Sequence, residues 1–347
     1  MRLGSLRTKA RDGQLALVSA DLRRALPVGE IAPILRDALD HWAEVEDALR
    51  AADKQFQSDP AAGVALGGGD LLAPLPRAYS WIDCGAYPYP MELLAAVQGT
   101  VPPDPASASH PPFYDGSGQF VGPGEPLPML ESSEFDLEAE LAFVLTDVKR
   151  GATASEARSA IVGVTVVNDV TLRDVLRADL QAGKGTYHAK PPSSMAPTIV
   201  TLDELGDAWD GEQVYARMHT WINDQLLGCP VTGVDIAVSI PGLIAQAART
   251  RPLGAGTVLG TGTVSNRDPD AGSACIAEAR IRETLVRGGP VTNFLSAGDR
   301  LTIDLRVGGE SVAGALHHIV VGGDTGISGS AAQSVSTGQL TVPAESN

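Results

Sequence analysis

The chain has 347 residues, a formal net charge of −16 and only three cysteines, Cys84, Cys229 and Cys275. Its length can hold a large core with a small appendage. Its acidity excludes nucleic acid and anionic membranes, both of which demand basic patches. Sparse cysteines without metal-type spacing suit a reducing compartment. Neither a secretory leader nor an apolar run long enough to span a bilayer is evident, so a cytoplasmic protein is expected.

Residues 1–28 read as a hairpin around the Asp12-Gly13 turn. From Ile31 the apolar positions Ile31, Leu35, Leu39, Trp42, Val45 and Leu49 form one stripe and predict a single amphipathic helix, with Pro33 in its first turn. Residues 54–72 read as loop, with Gly67-Gly68-Gly69 as a break, and a boundary is expected near residue 70. Pro74 to Pro128, rich in Pro, Gly and aromatics, is expected to wrap the framework as ordered loops. Strands resume at 135–148. A short helix is expected from Thr153, and β-branched content makes Ile161–Val167 a buried strand ending in Asn168-Asp169. Two strands flank an Asn223-Asp224 turn, Ile240–Thr250 is a helix, and Gly254–Asn266 is a glycine-rich strand and turn. The expected organisation is therefore a small domain over 1–70, a larger one over 71–322 and a mobile tail over 323–347, in a β-rich α+β fold.

The chemistry concentrates in Phe135-Asp136-Leu137-Glu138-Ala139-Glu140-Leu141. In a strand, period two puts Asp136, Glu138 and Glu140 on one face and Leu137, Ala139 and Leu141 on the other. Same-face neighbours lie roughly 7 Å apart, so two carboxylates can converge on one ion. A solvated acidic face is the bland alternative for Glu-x-Glu alone. Asp169 ends a buried strand, although it could equally cap the helix opening at Thr171. Asp83 adds a carboxylate in an apolar, aromatic setting. Oxygen-only ligands of this kind suit Mg²⁺ or Ca²⁺ rather than zinc.

Glu138-Ala139-Glu140-Leu141, Val167-Asn168-Asp169 through Asp174, Ala189-Lys190-Pro191 with Pro197, and Gly260-Thr261-Gly262-Thr263-Val264-Ser265 follow one another in an order that resembles the fumarylacetoacetate hydrolase family. The resemblance covers roughly residues 70–320, and the N-terminal part fits the small domain such proteins carry. It implies a mixed β-roll catalytic domain, a homodimer and a divalent ion (Mg²⁺, or Ca²⁺ or Mn²⁺) on four carboxylates, here Asp83, Glu138, Glu140 and Asp169. It places Arg173 and Lys190 as charged substrate-site residues, and Tyr87, Tyr114, Gly262 and Thr263 at substrate-binding positions. Family substrates are 1,3-dicarbonyl or 2-oxo acids that chelate a hard cation, which stabilises the enolate formed as a C–C bond breaks or a proton leaves. Lys190 would put positive charge where that oxyanion develops, and Arg173 could grip a substrate carboxylate or pair with a neighbouring acid.

One departure matters. In hydrolytic members of the family a histidine follows the first ligand Asp by seven residues, and here that position is Pro90. Without this base, water attack loses on the order of 10² to 10⁴ in rate. His188, His110 and Glu278 are candidate replacements, of which His188 and Glu278 are the assigned catalytic candidates beside Lys190. A Gln often found three residues after the site arginine is Leu176 here. The expected function is a Mg²⁺-dependent C–C hydrolase of a 1,3-dicarbonyl or acylpyruvate substrate. The alternative is a decarboxylase, tautomerase, lyase or cyclase that needs no water attack, and the further alternative, against which the intact acidic quartet argues, is a binding protein that has lost catalysis.

Overall fold

The computed structural model describes residues 1–102, 104, 109–130 and 132–322; the tail assigned to 323–347 lies outside them. The chain opens with a meander, β1 (Arg2–Leu6), β2 (Gln14–Val18) and β3 (Arg24–Pro27), so the expected hairpin gains a third strand. The stripe from Ile31 forms two helices, not one: α1 (Leu35–Asp40) and α2 (Trp42–Ser58), broken at His41. The Pro33 carbonyl accepts from Leu15 N, and a residue preceding proline avoids helical dihedrals, so the segment before Leu35 docks on β2 rather than coiling. The stripe still does its work, because Leu35, Leu39 and Leu49 are all buried.

The next elements are β4 (Val64–Ala65), β5 (Ser80–Cys84), α3 (Tyr89–Gln98), β6 (Phe113–Gly116), β7 (Phe120–Val121), β8 (Leu127–Pro128), β9 (Phe135–Asp136) and β10 (Ala139–Leu145). Helix α3 corrects the expectation of loops over 74–128. Its two prolines read as breakers, yet Pro88 is the N-cap and Pro90 lies in the first turn, where no intrahelical N–H bond is lost; Gly99 closes it at φ 64°. Then follow α4 (Ala154–Ser159), β11 (Ile161–Asn168), β12 (Thr171–Leu172), α5 (Arg173–Gln181), β13 (Ser193–Met195), β14 (Ile199–Thr201), β15 (Arg217–Ile222) and β16 (Gln225–Gly228). The described residues end with α6 (Ile240–Ala247), β17 (Thr257–Thr263), α7 (Ile276–Arg287), β18 (Arg300–Val307), β19 (Glu310–Ser311) and β20 (Leu316–Val321). A capping box between Thr153 and Glu156 starts α4, and Asn223 and Asp224, both at positive φ, make the tight β15–β16 turn.

Among the described residues, one large sheet runs β4-β3-β2-β1-β14-β11-β10-β17-β5-β6, with β13 and β7 attached beside β11. A second, of order β16-β15-β18-β20-β8, packs against it. Strand β10 sits centrally and shows why. Leu141, Phe143 and Leu145 face the second sheet through a core containing Met218, Ile303 and Leu305, whereas Ala142 and Val144 face Leu35, Leu39 and Leu49 of the N-terminal helices. The strand is buried on both faces, so its apolar run is nearly continuous. Glu140 enters that run on the Ala142–Val144 side.

His318 on β20 gives the fold an acid-sensitive point. It is 2% exposed, its Nδ1 meets the Glu125 carbonyl at 2.6 Å, and its Nε2 has no partner among the described residues. Burial pushes its pKa down from 6.5 to about 4. Between those values the unfolded chain binds a proton that the folded chain refuses, so stability falls as pH drops from 6.5 to 4 and levels off below. The expected loss is about 3 kcal/mol. Urea melts of wild type and His318→Gln across that range should diverge; parallel pH profiles would refute the assignment.

Candidate active site

The site forms where five strands end. β10 supplies Glu140, and Glu138 lies just before it, where the ladder breaks and Glu138 bridges Cys275. The predicted alternation holds: Leu137, Ala139 and Leu141 lie in the core, and the carboxylates of Asp136 and Glu138 share the guanidinium of Arg173. β11 delivers Asp169 just beyond its last residue, and β5 delivers Asp83. β5 pairs with β17 through Asp83 and Gly260, and with β6 through Asp83 and Tyr114.

Asp83, Glu140 and Asp169 each offer one oxygen within 4.8 Å of the others, and all are buried. Burial and then Glu138 and Asp169 act against the charge on Asp83: burial raises its pKa, Lys190 opposes, and the neighbouring carboxylates add to the rise, to about 7. Burial, followed by Asp83, pushes Glu140 well above the ordinary carboxylate range. Asp83 Oδ1 and Glu140 Oε1 have no hydrogen-bond partner among the described residues. Orphaned, converging, hard oxygen donors of this kind fit a divalent cation and nothing apolar.

Glu138 is placed differently. Its Oε1 accepts from Arg173 Nη2; its Oε2 accepts from Lys190 Nζ at 2.7 Å and from Thr171 Oγ1 at 3.0 Å. Burial pushes its pKa up, but Arg173 and Lys190 outweigh this and hold it at about 2. Lys190 also donates to Asp169 Oδ2 and Thr171 Oγ1. Burial would discharge Lys190, yet Asp169 and Glu138 keep its pKa well above normal, so it stays cationic. Asp169 Oδ1 is held by Ser193 Oγ at 2.7 Å and by Trp81 Nε1 at 3.3 Å.

The remaining candidates divide. Arg173 is half-buried against Asp136 and Glu138, so its fork is already filled by protein carboxylates. Its neighbour Asp174 instead binds Ser132 and Ser133. Tyr114, 38% exposed, senses Asp83, Lys190 and Glu138 after burial itself, which marks it as facing the cluster at its mouth. Tyr87 is 4% exposed and its hydroxyl donates to the Thr232 carbonyl. Thr263 pairs with Glu140 across β17 and β10. Glu278, at the start of α7, forms an ion pair with Arg282 rather than with Lys190. His188 lies in a one-turn 3₁₀ segment two residues before Lys190, is two-thirds exposed, and meets Asp179 Oδ2 through Nδ1 at 2.9 Å. His110 lines a cleft with Ile82, on the face of β5 opposite Asp83. Asp136, Thr171, Ser193 and Trp81 escaped the sequence reading as site residues. Only Asp136 had a signal, its place in the acidic alternation.

Two glycines shape the Glu140 seat. Gly262 has φ +81°, donates its N–H to Glu140 Oε2 at 3.0 Å, and a Cβ there would sit 2.5 Å from the Cys84 carbonyl oxygen. A Cβ on Gly260 would meet Glu140 Oε2 at 2.3 Å. Gly262→Ala must therefore strain the backbone and move the carboxylate. The expected cost is about 1–3 kcal/mol of stability, with metal affinity reduced by about 10–100-fold. Denaturant melts and metal titration read both, and an unchanged metal affinity would contradict the seat.

Comparison with known proteins fits this geometry. Residues 1–77 match a model described as fumarylacetoacetase N-terminal domain 2, and residues 85–321 match fumarylacetoacetate (FAA) hydrolase C-terminal. Asp83 falls between the two. An oxaloacetate tautomerase, YisK, from Bacillus subtilis (strain 168) is 27% identical over 199 residues, 56% of this chain and 62% of that protein. A mitochondrial oxaloacetate tautomerase, fahd2, from Xenopus laevis is 30% identical over 155 residues, 44% of this chain and 46% of that protein. The chain thus matches less than two thirds of either relative's length. A crystal structure of maleylpyruvate hydrolase from Sphingobium sp. SYK-6, in complex with manganese(II) ion and pyruvate, superposes with a TM-score of 0.63 at 20% identity, covering 93% of this chain and all of that one. The matched model spans most of the sequence and contains Glu138, Glu140, Asp169 and Lys190, so the chain belongs to the fumarylacetoacetate hydrolase family.

Proposed function

We propose that this chain is a divalent-metal-dependent tautomerase of small 2-oxo dicarboxylic acids, interconverting their enol and keto forms. The observation that carries this reading is that, among the described residues, no histidine belongs to the converging acidic group itself. Pro90 stands in the first turn of α3, and the six histidines are at positions 41, 110, 188, 219, 317 and 318, none of them among the three converging acids. Keto–enol exchange moves one proton and needs no water attack. The two relatives named as oxaloacetate tautomerases, and the manganese and pyruvate in the maleylpyruvate hydrolase crystal, support the substrate class and the metal.

Asp83, Glu140 and Asp169 would hold the ion, with Mg²⁺ or Mn²⁺ as the leading candidates. When bound it supplies Lewis acidity to a chelating 2-oxo acid. Lys190, kept charged, stabilises negative charge growing on the substrate oxygen. Tyr114 donates from the mouth, and Glu138 keeps Lys190 in place. Arg173 acts through Glu138 and is not free to grip a substrate carboxylate. His188, oriented by Asp179 and open to solvent, carries the proton between carbon and bulk water.

A second reading, C–C hydrolysis of an acylpyruvate, is favoured by the same His188–Asp179 pair acting on water. Incubation with Mg²⁺ separates them. Accelerated loss of enol-oxaloacetate absorbance, with no ¹⁸O from H₂¹⁸O in a new carboxylate of any acylpyruvate, is the expected result. Label in a new carboxylate, without enol turnover, would overturn the tautomerase reading.

A further inference from the structure

A second cleft lies on the far side of the same strands. It encloses about 300 Å³ and opens to solvent between β5–β6 and the segment following α6. Strand alternation separates it from the acidic cluster. Ile82, Phe113 and Asp115 line it, while Asp83 and Tyr114, the residues between them, face the other way. His110 and Gln246 join the wall, and Gln246 Nε2 donates to the Ser109 carbonyl.

Its charge runs against that of the chain. Acids outnumber Lys and Arg by 42 to 26, and twelve of the 21 arginines pair with a carboxylate among the described residues. Arg249 and Arg251 both line this cleft, both are exposed, and neither has an acidic partner among the described residues. Two guanidinium forks without acidic partners, separated by Thr250, over an Ile82–Phe113–Ala247 floor make a receptor for an organic anion rather than a bare inorganic one. The forks match carboxylates, and the floor rewards a carbon skeleton. Asp115, the one carboxylate among the lining residues, can accept from a ligand hydroxyl.

We propose that this cleft is a second ligand site, separate from the acidic cluster, that binds a small hydroxy-dicarboxylate. His110 makes it observable, because its imidazole protons lie in the wall. The experiment is ¹H NMR titration of the metal-loaded protein with malate, following the His110 C2 proton. A saturable shift is expected, persisting in Glu140→Gln. In the Arg249→Gln/Arg251→Gln double variant the Kd should rise at least about ten-fold. Both arginines are exposed and outside the catalytic machinery, so the variant's melting temperature and basal turnover should stay unchanged. The proposal is overturned by no shift in wild type, or by an unaltered Kd in the arginine variant. It is also overturned by a shift that Glu140→Gln abolishes, which would put malate at the acidic cluster. Inorganic phosphate producing the same shift at the same Kd would overturn the organic class.

Discussion

Glu140→Gln is expected to make the metal-free protein more stable and to suppress the proposed turnover. Glu140 is fully buried, one of its oxygens has no partner, and its pKa is raised by burial and by Asp83. A carboxyl whose folded pKa exceeds its unfolded value keeps a proton that the unfolded chain has released. That group stabilises the fold fully only below the unfolded pKa, near 4.5, and the contribution is lost as pH rises toward the folded value. At pH 7 the native carboxyl is thus a burden, and the neutral amide removes it. The melting temperature of Glu140→Gln without metal should rise by several degrees. Metal reverses the ranking. At a free ion concentration of 100 Kd, wild type gains about 2.7 kcal/mol of stability, and the variant gains none. Turnover should fall on the order of 10³-fold, equivalent to about 4 kcal/mol of lost transition-state stabilisation. Thermal melts with and without Mg²⁺, beside enol-oxaloacetate kinetics, test all three. Full turnover, or a metal-dependent rise in melting temperature equal to that of wild type, would remove Glu140 from the metal seat.

Much of this arrangement was legible because it is local. The alternation Leu137, Ala139, Leu141 against Asp136, Glu138, Glu140 is a property of one extended segment, and it survives the break in the ladder at Glu138. The β-branched run to Asn168, the Thr153 cap and the Asn223-Asp224 turn are likewise fixed by nearest neighbours. The partners of the charged groups were not legible, because folding supplies them from far along the chain. Asp136 is anchored by the N–H of Ile276, 140 residues away, at the start of α7; Trp81 reaches Asp169 across 88. Arg173 could have met Asp174, its neighbour, but the strand order puts Asp136 and Glu138 in front of it instead. Local rules also misjudged proline. Pro88 and Pro90 look like loop residues until their place in the first turn of α3 is known, and Pro33 delays a helix that the apolar stripe alone would start earlier.

Lys190→Met should act in the opposite sense to Glu140→Gln. Lys190 Nζ is the cation shared by Glu138, Asp169 and Thr171, and 9% of its side chain is exposed. Removing it leaves Glu138 with Arg173 and the Thr171 hydroxyl, and Asp169 with two neutral donors. Breaking a buried pair from one side typically costs about 3–5 kcal/mol, so the metal-free variant should melt well below wild type. Divalent binding should tighten, because a positive charge beside the seat repels the ion and the freed Asp169 oxygen becomes an additional donor. Turnover at saturating metal should nevertheless drop by about 10²–10³-fold, since the charge proposed to meet the developing oxyanion is gone. Lys190→Arg should not rescue it, because a planar fork cannot fit a seat built for a point charge with three acceptors. Tighter metal with slower turnover is a signature that simple misfolding does not produce. A variant that binds metal more weakly and turns over at the wild-type rate would show that Lys190 serves the metal seat and not the reaction.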